Sequence, residues 1–322
     1  MSRFVGSFAG RNLLLARSRV YLAAWVMAMV GPLVVVGCGG DNAASDIGVD
    51  DKKPLVMTTT GIWADIVSRV SCGNLVVVES LIPDGADPHG FEGSLRSRGR
   101  LAEASLVVAN GLGLETNLAG MLDSVEDDGV AVFRVADHLK SGEETLGGDP
   151  HIWLDPVLVA SVLPALVQQM SAETNVEVDD LERCAAEFDA ELASLNDEIL
   201  AAVSQIPEQG RKLVTNHDAL GYFANRYGFE VVGVVIPGTS SLAESNPAQL
   251  QELANLIKQQ GVPAIFAETQ HSTDNIDTLA SRVGGVAVIE LYTGSLGLPG
   301  TGADTYVGML RANAKLISDG LG

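Results

Sequence analysis

Short runs of β-branched and aliphatic residues alternate with amphipathic segments over the first part of the chain, from residue 54 to residue 135. The predicted strands lie at residues 55–59, 75–82, 106–109 and 131–135, and the predicted helices at residues 62–70 and 95–104. Because consecutive parallel strands need a crossover, usually helical, this alternation favours parallel βα units.

A long stretch without glycine or proline interrupts the alternation at residues 178–206, after an apolar helix predicted at residues 156–170. Its apolar residues recur every three or four positions: Leu181, Ala185, Phe188, Leu192, Leu195, Ile199 and Val203. This spacing predicts one amphipathic helix of about 28 residues, roughly 40 Å long. Such a helix is long enough to bridge two lobes; packing within a single lobe is the alternative.

The alternation then resumes. Strands are predicted at residues 212–215, 230–236, 264–267 and 286–291, and helices at residues 219–227, 247–260, 274–283 and 306–318. The two parts on either side of the long helix therefore have the same predicted architecture, an α/β arrangement with about four βα units each.

The N-terminus has the features of an export signal. Four arginines (Arg3, Arg11, Arg17 and Arg19) precede an apolar run at residues 21–36, and no acidic residue occurs before Asp41. The run ends in Val-Val-Gly-Cys, which resembles a bacterial lipobox. We expect a signal peptide at residues 1–37, acylation of Cys38 and a tether at residues 38–53. A plain membrane anchor is the alternative.

Composition limits the function. The formal net charge is −21 and the pI is about 4.4, so the chain lacks the basic surface that binds nucleic acid. After removal of residues 1–37, two cysteines would remain besides Cys38, namely Cys72 and Cys184. Export permits a disulfide between them, but the sequence leaves pairing open.

Three of the five histidines follow predicted strands or an equivalent break: His89, His151 and His217. Two of them stand in the same tripeptide, Asp-Pro-His. Neutral imidazoles on separate loops suit a tetrahedral metal such as zinc. Asp87 and Asp149 are available to accept ring N–H groups. The alternative is that each histidine is an ordinary surface or capping residue.

Several ordered motifs resemble those of the zinc/manganese receptors of ABC importers, the ZnuA/TroA-like, cluster A-I solute-binding proteins. They are residues 81–92 (LIPDGADPHGFE), 101–115 (LAEASLVVANGLGLE), 149–156 (DPHIWLDP), 215–220 (TNHDAL), 266–269 (FAET) and 302–314 (GADTYVGMLRANA). The resemblance covers residues 54–320. It implies an α/β fold of two (β/α)4-type lobes joined by a long rigid backbone helix, with the metal between the lobes.

On this resemblance the N-terminal metal-binding lobe spans residues 54–170, the connecting helix residues 171–210 and the C-terminal metal-binding lobe residues 211–322. It also implies that His89, His151 and His217 are the first three ligands. Family members with histidine at the third position are often zinc receptors, so Zn²⁺ is the expected transported ligand, with Mn²⁺ as the alternative.

The fourth ligand departs from the family pattern. The usual acid would fall at Gly294, which has no side chain. Water could complete the site, Glu268 could supply the fourth ligand, or the site could be weakened. Glu268 as a structural hydrogen-bond acceptor is the alternative to its role as a ligand, and His271 on the same loop is a lesser candidate. We expect His138, in a short acidic loop, to be a solvated residue.

The expected function is capture of a divalent metal outside the membrane and delivery to an ABC permease with its ATPase. A surface adhesin or interaction lipoprotein with a weakened metal site is the first alternative. A zinc enzyme is the second, but neither His-Glu-x-x-His nor a nucleophile elbow or phosphate loop occurs. We therefore expect no enzymatic activity.

Overall fold

The computed structural model describes residues 53–139 and 146–322. The predicted signal peptide, Cys38 and all but the last residue of the predicted tether lie outside the described residues. Within them, no helix is both long enough and apolar enough to cross a membrane.

Two parallel four-stranded sheets form the framework. The first consists of β1 (Leu55–Thr58), β2 (Val77–Ser80), β3 (Leu106–Ala109) and β4 (Ala131–Arg134), in the order β2-β1-β3-β4. The second consists of β5 (Lys212–Thr215), β6 (Glu230–Val234), β7 (Ala264–Glu268) and β8 (Ala287–Leu291), in the order β6-β5-β7-β8. Each sheet therefore repeats the same order of strands, which confirms the predicted pair of α/β lobes.

The helices of the described residues follow the strands in the predicted alternation. They are α1 (Gly61–Val70), α2 (Leu95–Ala102), α3 (Ala119–Asp127), α4 (Pro156–Thr174), α5 (Val178–Val203), α6 (Gly221–Tyr227), α7 (Pro247–Gln260), α8 (Asp274–Val283) and α9 (Tyr306–Leu321). We call the sheet β1–β4 with helices α1–α4 the first lobe, and the sheet β5–β8 with helices α6–α9 the second lobe. Helix α5 lies between the two lobes in sequence.

Helix α5 is the predicted long helix, and all seven of its predicted apolar positions are buried. It packs against α1 and α4 of the first lobe and against α9 of the second lobe, which follows the second sheet. The largest hydrophobic cluster contains side chains from both lobes as well as α5, whereas two smaller clusters belong to one lobe each. The long helix therefore joins the lobes through a shared core.

A disulfide joins Cys72, just after α1, to Cys184 on α5. The two Cα atoms are 5.4 Å apart, although 112 residues separate the cysteines in sequence. The pairing that the sequence left open is therefore present, and it fixes the long helix to the first lobe.

Two helices, α3 and α4, differ most from the sequence prediction. Helix α3 was not predicted, because glycine and acidic residues surround its two buried positions, Leu122 and Val125. Helix α4 continues four residues beyond residue 170 and ends at Asn175, whose φ is +57°. Thr174 and Met170 are both buried, so packing extends this helix past the point where the apolar pattern fades.

Candidate metal centre

His89 lies in the loop after β2, and Asp87 fixes its backbone. The Asp87 Oδ1 atom accepts the His89 backbone N–H at 3.0 Å. The Ser241 hydroxyl of the second lobe donates to Asp87 Oδ2 at 2.6 Å. Asp87 was predicted to accept a ring N–H group, but the bonds that it makes are to the histidine backbone and to the other lobe.

His151 lies in the equivalent Asp-Pro-His tripeptide, between β4 and α4. Asp149 Oδ1 again accepts the backbone N–H two residues later, at 3.0 Å. Here the same oxygen also lies 2.7 Å from the ring Nδ1 atom. Because a carboxylate accepts hydrogen bonds, Nδ1 of His151 carries the proton and Nε2 presents a lone pair, as predicted from the tripeptide.

His217 follows β5 and is oriented from a neighbouring strand. Glu268, the last residue of β7, places its Oε1 atom 2.6 Å from the His217 Nδ1 atom. Its Oε2 atom accepts hydrogen bonds from the Thr293 hydroxyl and from the Gln270 amide, both at 2.8 Å. Sequence reasoning missed Thr293 and Gln270, since neither residue type indicates a metal site by itself.

The three Nε2 atoms meet in the interior. His89 Nε2 lies 3.2 Å from His151 Nε2, which lies 3.1 Å from His217 Nε2. The three residues are 4%, 1% and 1% exposed. At such distances either an Nε2–H group donates to a neighbouring Nε2 lone pair, or a cation lies among the nitrogens. Two nitrogens bound to one tetrahedral zinc ion at 2.0–2.1 Å would be about 3.3 Å apart, so the group fits that ion.

The lobes meet around this group through hydrogen bonds. The Tyr222 hydroxyl of α6 donates to the Asp149 carbonyl at 2.8 Å. The Trp153 indole donates to the Thr293 carbonyl at 2.7 Å. The first lobe supplies His89 and His151 and the second supplies His217, so an ion bound to all three would link the lobes.

The electrostatics of the buried histidines favour a metal. Burial and the neighbouring imidazoles lower the pKa of His89 and of His151 to about 3, so both rings are neutral near pH 7. Burial also lowers the pKa of His217, but the hydrogen bond and the charge of Glu268 outweigh this effect and raise it. A metal ion at His217 therefore competes with a proton for the ring.

Burial raises the pKa of both carboxyl groups behind the histidines, but their neighbours oppose this effect to different extents. Burial raises the pKa of Asp149 to about 7, although the His151 backbone N–H opposes it. Burial also raises the pKa of Glu268. The hydrogen bond from His217 and the positive charge of the His217 ring lower the pKa by a larger amount, so the net shift is downward. Glu268 is therefore the more firmly ionised of the two near pH 7.

Glu268 belongs to the site, but it lies behind His217 rather than beside the three Nε2 atoms. Both of its oxygens accept hydrogen bonds, as expected if Glu268 is a structural hydrogen-bond acceptor. Its role as fourth ligand of the three-histidine group stays a prediction.

Position 294 lies at the edge of the site. A Cβ atom on Gly294 would lie 2.8 Å from the Gln270 Nε2 atom and 3.1 Å from the Pro88 Cδ atom. Gln270 therefore fills the space into which a side chain at position 294 would extend. His138 is exposed and stacks on Phe133, with ring centroids 4.1 Å apart.

Comparisons with known proteins show the family to which the chain belongs. The sequence model of the ZnuA family, described as zinc-uptake complex component A, periplasmic, matches residues 56–320. The zinc-binding protein TroA of Treponema pallidum is 32% identical over 289 residues, which cover 87% of this chain and 91% of TroA. The manganese-binding lipoprotein MntA of Halalkalibacterium halodurans is 30% identical over 91% of this chain and 96% of its own length.

A third relative is the manganese ABC transporter substrate-binding lipoprotein PsaA of Streptococcus pneumoniae, 26% identical over 93% of this chain and 97% of its own length. The solved structure of periplasmic zinc-binding TroA from Treponema pallidum superimposes with a TM-score of 0.78 at 31% identity, covering 84% of this chain and 99% of that one. The chain belongs to the ZnuA family, whose members are solute-binding proteins of ABC transporters and not enzymes.

Proposed function

We propose that this protein captures a divalent transition metal, Zn²⁺ in preference to Mn²⁺, outside the cytoplasmic membrane and delivers it to the permease of an ABC importer. His89, His151 and His217 are the ligands. The convergence of their three Nε2 atoms from two lobes is the observation that supports this proposal. The relatives that bind zinc or manganese and that serve ABC transporters support the same assignment.

The donor set favours zinc over manganese. Three imidazole nitrogens suit a tetrahedral zinc ion, whereas manganese prefers more oxygen ligands. Gly294 supplies no oxygen, and the two oxygens of Glu268 are held by hydrogen bonds. The fourth position is therefore open to water or to a rearranged Glu268.

The remaining features of the proposal concern the placement of the protein. The export signal and the lipoprotein names of the relatives support anchoring of the chain through lipidated Cys38, with residues 38–53 as the tether.

The lobes at residues 54–170 and 211–322 move as units about the helical segment at residues 171–210. Because α5 packs against helices of both lobes, this motion is a small tilt rather than a wide hinge opening.

Metal titration of the full chain, purified in detergent and stripped with a chelator, tests the proposal. We expect one tightly bound Zn²⁺ per chain and weaker binding of Mn²⁺ in competition titrations. His217→Ala should weaken Zn²⁺ binding by more than about 100-fold, since loss of a mere outer hydrogen-bond partner already costs 10–100-fold.

His138→Ala is the matched control, because His138 is an exposed histidine stacked on Phe133 rather than part of the centre. Its affinity for Zn²⁺ should equal that of the unaltered chain. Weak binding by the unaltered chain, insensitive to His217→Ala, would contradict the proposal and favour an interaction lipoprotein with a degenerate metal site.

A further inference from the structure

His271 is a histidine near the centre that the three-histidine group does not use. It lies in the loop after β7, where its backbone N–H donates to the Glu268 carbonyl at 3.1 Å. This tight turn folds the imidazole back towards the centre. The His271 Nε2 atom is buried and has no hydrogen-bond partner within the part of the chain that the structure describes. A buried polar atom without a partner indicates that something else binds there.

The unpartnered nitrogen belongs to a second cluster of metal-ligand types. His217, Glu268 and His271 each present one ligand atom within 4.8 Å of the others. The His271 Nε2 atom lies 3.7 Å from Glu268 Oε2, and the rings of His271 and His217 lie 6.0 Å apart, edge to face. Two imidazoles and a carboxylate are a common ligand set for zinc.

Gln270 adds an independent observation at the same place. Its Nε2 atom donates to Glu268 Oε2 and to the Thr293 hydroxyl, which fixes the amide group. Its Oε1 atom is nevertheless buried without a partner among the described residues. Two buried polar atoms without a hydrogen-bond partner among the described residues, His271 Nε2 and Gln270 Oε1, therefore lie on the loop that follows Glu268.

The second cluster is the more accessible of the two. The side chain of His271 is 17% exposed, whereas the three histidines of the inner group are at most 4% exposed. The His271 ring therefore reaches the protein surface, although its Nε2 atom is buried, whereas the rings of the inner group do not.

We propose that His217, Glu268 and His271 form an outer position that takes up a divalent transition-metal ion before it reaches the inner three-histidine position. This inference rests on the proposed function. His217 is common to both positions: its Nδ1 atom faces Glu268 and its Nε2 atom faces His151. A neutral imidazole has one nitrogen lone pair free for a metal, so binding at the outer position moves the His217 proton from Nδ1 to Nε2 and replaces the hydrogen bond to Glu268. The two positions are therefore occupied in turn.

The outer position can be isolated by removing the inner one. In full-length chain purified in detergent, the double variant His89→Ala/His151→Ala lacks two inner ligands but retains His217, Glu268 and His271. We expect it to bind one Zn²⁺ weakly in calorimetric titration. Adding His271→Gln should weaken that residual binding by about tenfold or more.

His138→Gln in the same double-variant background is the matched control and should leave the residual binding unchanged. Equal residual binding with and without His271→Gln would overturn the outer position. This result is distinct from failure of the proposed function, which would appear as weak, His217-insensitive Zn²⁺ binding by the unaltered chain.

A second measurement applies even if the double variant fails to fold. In stopped-flow experiments with a fluorescent zinc chelator, His271→Gln alone should slow both loading and release of Zn²⁺ by about tenfold, because both pass through the outer position. Loading and release rates equal to those of His138→Gln would contradict the proposal.

Discussion

The two lobes share one strand order but hold their histidines in different ways. In the first lobe, Asp87 and Asp149 each bind the backbone of a histidine two residues later in the same tripeptide. In the second lobe, His217 depends on Glu268, which is 51 residues away on another strand and is itself held by two more side chains. The first lobe sets its ligands locally, and the second sets its ligand through the packing of its sheet.

A second difference concerns attachment to the long helix. The Cys72–Cys184 disulfide ties α5 to the first lobe, whereas the second lobe joins α5 through packing of α9. The first lobe is therefore linked to α5 covalently, whereas the contacts between α5 and the second lobe are non-covalent.

The largest expected effect concerns this disulfide. Replacing both cysteines, Cys72→Ser with Cys184→Ser, should lower the free energy of unfolding by about 2–4 kcal/mol, because the bond closes a loop of more than 100 residues. Urea unfolding measures the change, with Ser204→Ala plus Ser281→Ala as a control pair, because both serines are exposed. Equal stability of the serine variant and the unaltered chain would show that packing alone joins α5 to the first lobe.

The next prediction compares the loss of Zn²⁺ affinity when either of the two carboxylates that orient histidine rings is replaced. Glu268→Gln should weaken Zn²⁺ binding by about 100-fold and Asp149→Asn by about tenfold, within the range for such partners. The larger loss is expected at Glu268, because its charge also organises Thr293 and Gln270. Competition titrations with the two variants give the ratio, and an equal or larger loss at Asp149 would contradict the contrast between the lobes.

A smaller effect concerns the gap at position 294. Gly294→Asp should raise affinity for Mn²⁺, but Gln270 occupies the space that the new side chain needs. We therefore expect the double variant Gly294→Asp/Gln270→Ala to bind Mn²⁺ about tenfold more tightly than Gly294→Asp. Gln270→Ala alone is the control. No gain in the double variant would mean that a carboxylate at position 294 does not reach the metal.

The sequence predicted an element better where the periodicity of the element itself marks its buried face. All seven apolar positions predicted from the periodicity of α5 are buried, because a long amphipathic helix carries its own signal; Cys184 is the one further buried residue. Helix α3 was missed, since only Leu122 and Val125 mark its buried face. The pairing of Cys72 with Cys184 depends on how α1 packs on α5, which sequence spacing does not encode.

The same distinction applies to the metal centre. His89, His151 and His217 were predicted from their positions at strand ends, because parallel strands bring their carboxyl ends to one edge of a sheet. The role of Asp149 followed from the tripeptide. Gln270 and Thr293 were not predictable, since their roles arise only when β7 and the loop after β8 lie side by side.

Anomalous diffraction at the zinc edge, from crystals of the protein grown with Zn²⁺, shows directly whether His89, His151 and His217 bind one zinc ion. We predict one strong peak about 2.0–2.1 Å from the Nε2 atoms of His89, His151 and His217 together. A zinc peak bound by the histidines of one lobe only, or located away from all three, would contradict the account.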